Sequence, residues 1–282
     1  MRCDFHMHSL FSGDGKATID EMCAAAIEKG FGAVCFTEHH DLGQLTEAAQ
    51  RYIEEHWSVT SLFRVDEPEK YTLAIMAARE KYPQLKVMLG IEFAIADEMD
   101  MAGFGVLDKL PLDYLLASCH DAGSVDPAML CCYDGRTRCD IVTAYYRSMY
   151  EGLKALETFD SLAHIGYVYR YLKRYEKYEP AEREYRRSDA PDIIDAILRR
   201  VIDDGAVLEL NMSGFSAGYT MPDIDIIKRY AQLGGEAMIY ASDAHEPKNI
   251  GQHYDAAVEI MKNAKIKYLA SFDKRKASFA KI

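Results

Sequence analysis

Residues 4–14 have the sequence DFHMHSLFSGD, in which a short apolar stretch runs directly into His6-Met7-His8. Residues 35–41, CFTEHHD, repeat the arrangement with an apolar stretch that ends at Glu38-His39-His40. Elsewhere short apolar runs alternate with amphipathic segments, a pattern that predicts βα units around a mainly parallel sheet. The candidate strands are Cys3–Phe5, Ala33–Thr37, Lys86–Phe93, Tyr114–Cys119, Ser161–Ile165, Ala206–Leu210 and Ala237–Ala241.

Capping residues and glycines predict where the intervening helices begin and end. Thr18 and Glu21 form a capping-box pattern, and Gly30 is placed to end the helix that they begin. Further helices are predicted at Glu69–Lys81, at Pro191–Asp203 before Gly205, and from a first turn at Pro222 to Gly234. Tyr167–Arg187, dense in Tyr, Arg, Lys and Glu, is also predicted to be helical, and Gln44–Asp66 to be a lid-like insertion.

The composition is that of a globular protein. With 282 residues, 49% of them hydrophobic, the chain can bury a sizeable core, and its length suits one large α/β barrel or two small domains. Linker-like composition is absent from the sequence, so residues 1–282 are predicted to form a single domain.

Charge and cysteine content exclude several classes of function. The formal net charge of −12 opposes binding to nucleic acid or to an anionic membrane. The sequence contains neither a run of about 18 apolar residues nor the apolar start of a secretory signal, so a cytoplasmic location is expected. Its 7 cysteines are scattered without a CxxC pair, which indicates neither a disulfide framework nor a thiolate zinc site.

Potential metal ligands lie where the predicted strands end. A lone histidine at a strand end is usually an ordinary polar residue, but of the 9 histidines only His56 and His253 lie elsewhere. The side chains at strand ends are His6, His8, Glu38, His39, His40, Glu92, His120, His164, Asp243 and His245. Because strand ends of one polarity meet on one face of a parallel barrel, we expect these residues to converge there. Imidazole and carboxylate ligands suit Zn, Mn or Fe.

The spacing of His6 and His8 suits a single metal ion, and the motifs that contain these residues resemble those of a known family. Alternate residues of an extended segment point the same way, so His6 and His8 can bind one ion. The strings DFHMHSLFSGD, CFTEHHD, LGIEF, ASCH, LAHIGY, ELNMSG and ASDAH occur in this order over nearly the whole chain. In them the chain resembles the PHP (polymerase and histidinol phosphatase) superfamily, and more closely its histidinol-phosphate phosphatase branch. The resemblance implies a distorted (β/α)7 barrel of the PHP/amidohydrolase-like type.

The resemblance also implies a site of three divalent ions, Zn, Mn or Fe, with Glu92 bridging the first two. The three ligand sets that it implies are His6, His8, Glu92 and Asp243; Glu92, His120 and His164; and Asp14, His39 and His245. Glu38 and His40 flank a ligand and are expected to support it or to contact the substrate.

The activity implied by the resemblance is hydrolysis of a small phosphate ester, most closely L-histidinol phosphate in histidine biosynthesis. Metal-activated water would be the nucleophile, with Glu92, His120 and Asp243 as the catalytic residues. Arg170, six residues past His164, is the candidate guanidinium for the phosphate. The alternative for Arg170 is a place in a solvated charged helix.

Two other functions are compatible with the sequence. Phe215-Ser216-Ala217 follows NMSG, where histidinol phosphatases of this type tend to have a basic residue, so a nucleotide or another small phosphate ester is an alternative substrate. A nucleotide would favour more basic residues around the pocket, whereas the acidic stretch Ala96–Asp100 could bind the ammonium group of histidinol. The alternative for this stretch, and the favoured one, is a solvated loop. A non-catalytic scaffold is the second alternative, and the complete ligand set argues against it.

Overall fold

The fold is built on one sheet whose strands follow one another in chain order. The computed structural model describes residues 1–41, 67–96, 101–123, 125–186 and 188–282, together with residues 47, 51, 52, 55 and 65. The predicted insertion Gln44–Asp66 therefore lies almost entirely outside the described residues, and so do the acidic residues 97–100.

The strands are β1 (Cys3–Met7), β2 (Ala33–Asp41), β3 (Lys86–Ala94), β4 (Tyr114–Ser118), β5 (Ser161–Leu162), β6 (Val207–Asn211), β7 (Ala237–Ala241), β8 (Tyr268–Asp273) and β9 (Lys276–Lys281). Each pairs with the next, in parallel from β1 to β8 and antiparallel between β8 and β9. The seven predicted strands are confirmed, with β5 shorter than expected. The hairpin of β8 and β9 was not predicted from the sequence.

The sheet closes on itself where the chain leaves β7. Met7 and Ala244 form a parallel bridge, and the amide of His8 donates to the Ala244 carbonyl at 2.9 Å. The amide of Asp243 likewise donates to the carbonyl of His6 at 2.9 Å. The first and seventh strands are thus joined at their carboxyl ends, as the predicted barrel requires.

The helices are α1 (Ile19–Glu28), α2 (Pro68–Lys81), α3 (Arg138–Ala155), α4 (Tyr167–Leu172), α5 (Pro191–Asp203), α6 (Ile224–Gln232) and α7 (Tyr254–Asn263). The capping box at Thr18 is confirmed, since the backbone amide of Glu21 donates to the Thr18 side chain and the Glu21 carboxylate accepts from the amide of Thr18. Gly30, at φ 75°, follows α1 in the left-handed conformation that favours glycine. Among the described residues, every helix is too short or too polar to span a bilayer.

Two helix predictions were wrong. Pro222 lies before α6 and not in its first turn, because the side chain of Asp223 caps the helix by accepting from the amide of Asp225 at 2.9 Å. The segment predicted as a helix from Tyr167 is α-helical only as far as Leu172 and has one further 3-10 turn at Pro180–Glu182, and Arg187 lies outside the described residues.

Side chains explain why the segment after α4 leaves the helix. The guanidinium of Arg138 donates to the carbonyls of Glu182 and Glu184, at 2.5 and 2.6 Å. Arg183 donates to the carbonyls of Tyr178 and Glu176 at 2.7 and 2.8 Å. Because arginine side chains satisfy these backbone groups, the chain does not need a helix to pair them.

The barrel interior is apolar at one end and polar at the other. The rings of Phe5, Tyr114 and Phe272 pack together toward the amino ends of the strands, with centroids 5.2–6.2 Å apart. Toward the carboxyl ends the inward positions carry histidines and carboxylates. In β1 the inward side chains change from apolar to polar because the register with β2 is irregular. Asp4 pairs with Val34, whereas Met7 pairs with Phe36. The extra residue in β1 turns His6 and His8 inward after Phe5.

Candidate metal centre

The carboxyl end of the barrel brings together the nine residues predicted as metal ligands. His6, His39 and Glu92 lie on β1, β2 and β3, and the others lie in the segments that follow β1, β4, β5 and β7. The nine are His6, His8, Asp14, His39, Glu92, His120, His164, Asp243 and His245, whose closest side-chain contacts with one another are all between 2.7 and 3.7 Å.

Glu92 is fully buried at the centre of this cluster. Its Oε1 lies 2.7 Å from His164 Nε2 and 3.3 Å from His120 Nε2. Its Oε2 lies 2.9 Å from His39 Nδ1 and 3.2 Å from His6 Nε2. His8 Nε2 also lies 3.5 Å from Oε2. Each carboxylate oxygen therefore faces its own group of histidines, an arrangement in which one side chain can bridge two cations.

Two further carboxylates stand at the side of the cluster away from His164. Asp243 Oδ1 lies 3.5 Å from His8 Nε2. Asp14 Oδ2 lies 2.9 Å from His245 Nε2, and its Oδ1 lies 3.7 Å from His39 Nε2. Asp14 is the most exposed of the predicted ligands, with 39% of its side chain accessible. A metal ion bound there would be accessible to solvent.

The donor atoms form several overlapping groups, each with ligand atoms within 4.8 Å of one another. The groups are His6, His8 and Asp243; Glu92, His120 and His164; His8, His39 and His245; and His39, Asp41 and His120. All of these donors are imidazole nitrogens or carboxylate oxygens, which fit Zn, Mn or Fe. Asp41 was not among the predicted ligands, although its position two residues after His39 places it on the same side of β2.

The charges in the cluster are those of a cation site. Burial disfavours the imidazolium form, but the carboxylates of Glu209 and Glu92 nevertheless hold the pKa of His6 well above its usual range. Burial and the neighbouring imidazoles of His39 and His245 lower the pKa of His8 to about 3. Despite burial, the surrounding histidines hold the pKa of Glu92 well below its usual value. Bound metal ions would supply the positive charge that the raised pKa of His6 and the lowered pKa of Glu92 both indicate is favoured here.

Several ligands are oriented by partners whose roles the sequence did not predict. His6 Nδ1 lies 2.8 Å from Glu209 Oε2, and His120 Nδ1 lies 3.4 Å from Asp41 Oδ2. A carboxylate on one ring nitrogen leaves the other nitrogen free for a metal. The string ELNMSG contains Glu209, and a search for acidic residues at inward strand positions would have found it.

Glu38 supports a ligand through a serine. Ser12 Oγ donates to Glu38 Oε2 at 2.6 Å and lies 3.2 Å from His8 Nδ1. His40 stacks on Phe93, with ring centroids 5.7 Å apart, on the side of β2 opposite to His39. A role for His40 in substrate binding therefore stays a prediction.

Arg170, on α4, lies at the edge of the cluster. Its Nη2 donates to Ser213 Oγ and is 3.6 Å from Asp243 Oδ2, and only 16% of its side chain is accessible. The guanidinium also lies 5.9 Å from the centroid of the Tyr167 ring, which in turn is 4.9 Å from the ring of His120. These contacts favour a place beside the cluster over the alternative of a solvated helix face.

Known proteins with similar sequences are named as phosphatases. The chain is 29% identical to a probable histidinol-phosphatase of Clostridium acetobutylicum, over 98% of this chain and 99% of that protein. It is 24% identical to the histidinol-phosphatase of Lactococcus lactis, over 98% of each chain.

Solved structures show the same fold. The histidinol phosphate phosphatase of Lactococcus lactis, in complex with zinc, L-histidinol and phosphate, matches with a TM-score of 0.79 at 23% identity, over 98% of both chains. A putative histidinol phosphatase of Listeria monocytogenes matches with a TM-score of 0.71 at 18% identity, over 90% of this chain and 99% of that one. The family model of the PHP domain matches residues 4–213, and the chain therefore belongs to the PHP domain family.

Proposed function

We propose that the protein is a metal-dependent phosphomonoesterase that hydrolyses L-histidinol phosphate to L-histidinol and phosphate in histidine biosynthesis. The observation that carries the proposal is the position of Glu92, whose two buried oxygens face separate groups of histidines. A carboxylate so placed supports a cluster of divalent cations, the usual means of stabilising phosphoryl charge.

Three cations, Zn, Mn or Fe, are proposed for the cluster. His6, His8, Glu92 and Asp243 would hold the first; Glu92, His120 and His164 the second; and Asp14, His39 and His245 the third. When bound, the ions would lower the pKa of a coordinated water molecule to about 7 and neutralise the negative charge on the phosphoryl oxygens. Elemental analysis after metal-replete expression should approach three equivalents per chain, and fewer than about two in a fully active enzyme would remove the three-ion proposal.

Arg170 is proposed to bind the phosphate group. Its planar guanidinium can donate two parallel hydrogen bonds to phosphate oxygens, and Asp243 and Ser213 hold it beside the proposed ligands. The relatives named histidinol-phosphatase, which align over nearly their whole length, support the choice of substrate.

A panel of phosphate esters assayed with the metal-loaded protein tests the substrate. Two or three polar contacts to the imidazole and ammonium ends of histidinol phosphate should contribute about 3 kcal/mol, or roughly 100-fold in kcat/KM, over p-nitrophenyl phosphate and nucleoside monophosphates. Equal rates across the panel would reduce the function to a general phosphatase, and preference for a nucleotide would overturn the choice of substrate. Absence of activity on every ester of the panel, in protein with a full metal content, would favour a non-catalytic scaffold.

A further inference from the structure

A line of buried polar side chains connects His6 with Arg170. Glu209 and Asn211 lie on β6, and Ser213 lies two residues further along the chain. Because alternate residues of a strand point the same way, the side chains of Glu209 and Asn211 lie on one side of β6, toward the barrel interior. Ser213 follows in a turn and is held beside them by hydrogen bonds to Asn211. Glu209 and Asn211 are fully buried, so each of their polar atoms needs a partner inside the protein.

Glu209 determines which nitrogen of His6 is free. Its Oε2 lies 2.8 Å from His6 Nδ1, and its Oε1 accepts a hydrogen bond from Asn211 Nδ2 at 2.8 Å. With the Glu209 oxygen as the acceptor of this hydrogen bond, His6 donates from Nδ1. The Nε2 of His6, which lies 3.2 Å from Glu92 Oε2, is then the nitrogen available to a metal ion.

Asn211 passes this orientation on to Ser213. The amide oxygen of Asn211 accepts from the backbone amide of Ser213 at 3.0 Å and from Ser213 Oγ at 2.6 Å. A backbone N–H can only donate and the Glu209 carboxylate can only accept, so the amide of Asn211 cannot rotate by 180° without losing both contacts.

Ser213 in turn holds Arg170 next to Asp243. With its own proton directed to Asn211, Ser213 Oγ accepts a hydrogen bond from Arg170 Nη2. Ser213 Oγ is 3.2 Å and Arg170 Nη2 is 3.6 Å from Asp243 Oδ2. The other oxygen of Asp243, Oδ1, remains toward His6 at 3.6 Å. The same carboxylate is therefore shared between the proposed metal site and the proposed phosphate site.

We propose that Glu209, Asn211 and Ser213 are positioning residues that couple the first metal site to the phosphate-binding guanidinium. Glu209 orients His6 so that its Nε2 faces the metal, and Ser213 orients Arg170 toward the phosphate. Asn211 fixes the side chains of Glu209 and Ser213 relative to each other. The part that concerns Arg170 rests on the proposed function, whereas the part that concerns His6 requires only metal binding.

Two binding measurements separate the two ends of this chain of residues. Zinc affinity is measured by competition with a chelator, and the affinity of the zinc-saturated protein for inorganic phosphate by calorimetry. Glu209→Gln should lower zinc affinity about 10- to 100-fold, the usual effect of losing a carboxylate behind a metal-binding histidine. Ser213→Ala should keep zinc affinity within about 3-fold of the wild type and weaken phosphate binding roughly 10-fold, because it removes one hydrogen bond that orients Arg170. Asn211→Ala should weaken both.

Controls distinguish positioning from general destabilisation. Ser216→Ala removes a hydroxyl from the same segment, where its partner is the half-buried His253, and should change neither affinity. Ser213→Thr keeps the hydroxyl and should restore phosphate binding relative to Ser213→Ala. Unchanged phosphate affinity in Ser213→Ala, or a parallel fall of both affinities in that variant, would overturn the role of Ser213 in orienting Arg170. Weakening of only one affinity in Asn211→Ala would overturn the coupling. Because these measurements use zinc and inorganic phosphate, failure to hydrolyse histidinol phosphate would reject the substrate and leave this proposal standing.

Discussion

Replacing Glu92 with glutamine changes one charged oxygen into an NH2 group at the centre of the proposed metal cluster. Glu92 Oε1 faces His164 and His120, and Oε2 faces His39 and His6, so either orientation of the amide places a donor where an ion would bind. The substitution preserves volume in a position that is fully buried. Its effect should therefore come from charge and not from packing.

The size of the effect follows from the charge that is lost. Two unit charges about 4 Å apart interact by about 4 kcal/mol at an effective dielectric constant of 20, and a divalent ion doubles that attraction before desolvation is subtracted. If only about 3 kcal/mol of this remains as a net loss, each bridged ion binds about 100-fold more weakly. Since the ions neutralise phosphoryl charge, we expect the rate to fall by at least about 1000-fold.

The assay is elemental analysis of Glu92→Gln after gel filtration in metal-free buffer, together with its rate on phosphate esters. We expect the loss of about two metal equivalents. Asp160→Asn is the matched control, because Asp160 is a buried carboxylate at the opposite end of the barrel that accepts from the amide of Leu115 at 2.7 Å. It should lower stability and leave the metal content unchanged. Wild-type metal content and a rate within about 10-fold in Glu92→Gln would refute the bridging role.

Three further outcomes are expected. Asp14→Ala should remove one metal equivalent and lower the rate roughly 100-fold or more, since Asp14 contacts His245 and lies away from the Glu92 bridge; full activity with full metal content would show that Asp14 is not a ligand. Carboxylates hold the pKa of His6 and of His120 well above the usual range in spite of burial, so protons compete with the metal, zinc binding should release protons, and the apparent zinc affinity should keep rising with pH above the usual histidine pKa of about 6.5. Calorimetry in two buffers of different ionisation enthalpy measures that release, and no release would contradict the assignment. Arg170→Lys should keep the zinc content and raise KM for a phosphate ester roughly 10-fold, because lysine cannot form two parallel hydrogen bonds to one phosphate; an unchanged KM would exclude Arg170 from phosphate binding.

The strands that were predicted from the sequence are those whose residues are covered on both faces. Every residue of β1, β4, β6 and β7 is buried, and such strands appear in sequence as short continuous apolar runs. The strand β9 has six exposed residues, and its lysines and serine carry no such pattern. It is a strand because β8 offers it a free edge, which is a tertiary property.

The predicted ligands and the residues that orient them differ in the same way. His6, Glu92 and His120 were found because histidines and acids at strand ends are unusual in number and position. Glu209 lies within an apolar strand, and its function depends on facing His6 across the barrel, 203 positions away in the sequence. The inward direction of His6 itself depends on the register irregularity in β1, which local sequence does not specify.

The buried carboxylates at the polar end of the barrel destabilise the folded protein unless positive groups pair with them. Glu92, Glu209 and Asp243 are buried carboxylates, and without positive partners each would cost several kcal/mol in desolvation. These three carboxylates in turn raise the pKa of His6, which favours its positively charged form, and bound cations would supply positive charge more strongly. The apolar end, where Phe5 and Tyr114 pack inside the same barrel, needs no ion to be stable. Packing at the apolar end can therefore hold the strands in place while the polar cluster exchanges protons for metal ions. The geometry of the site can then exist before the ions bind.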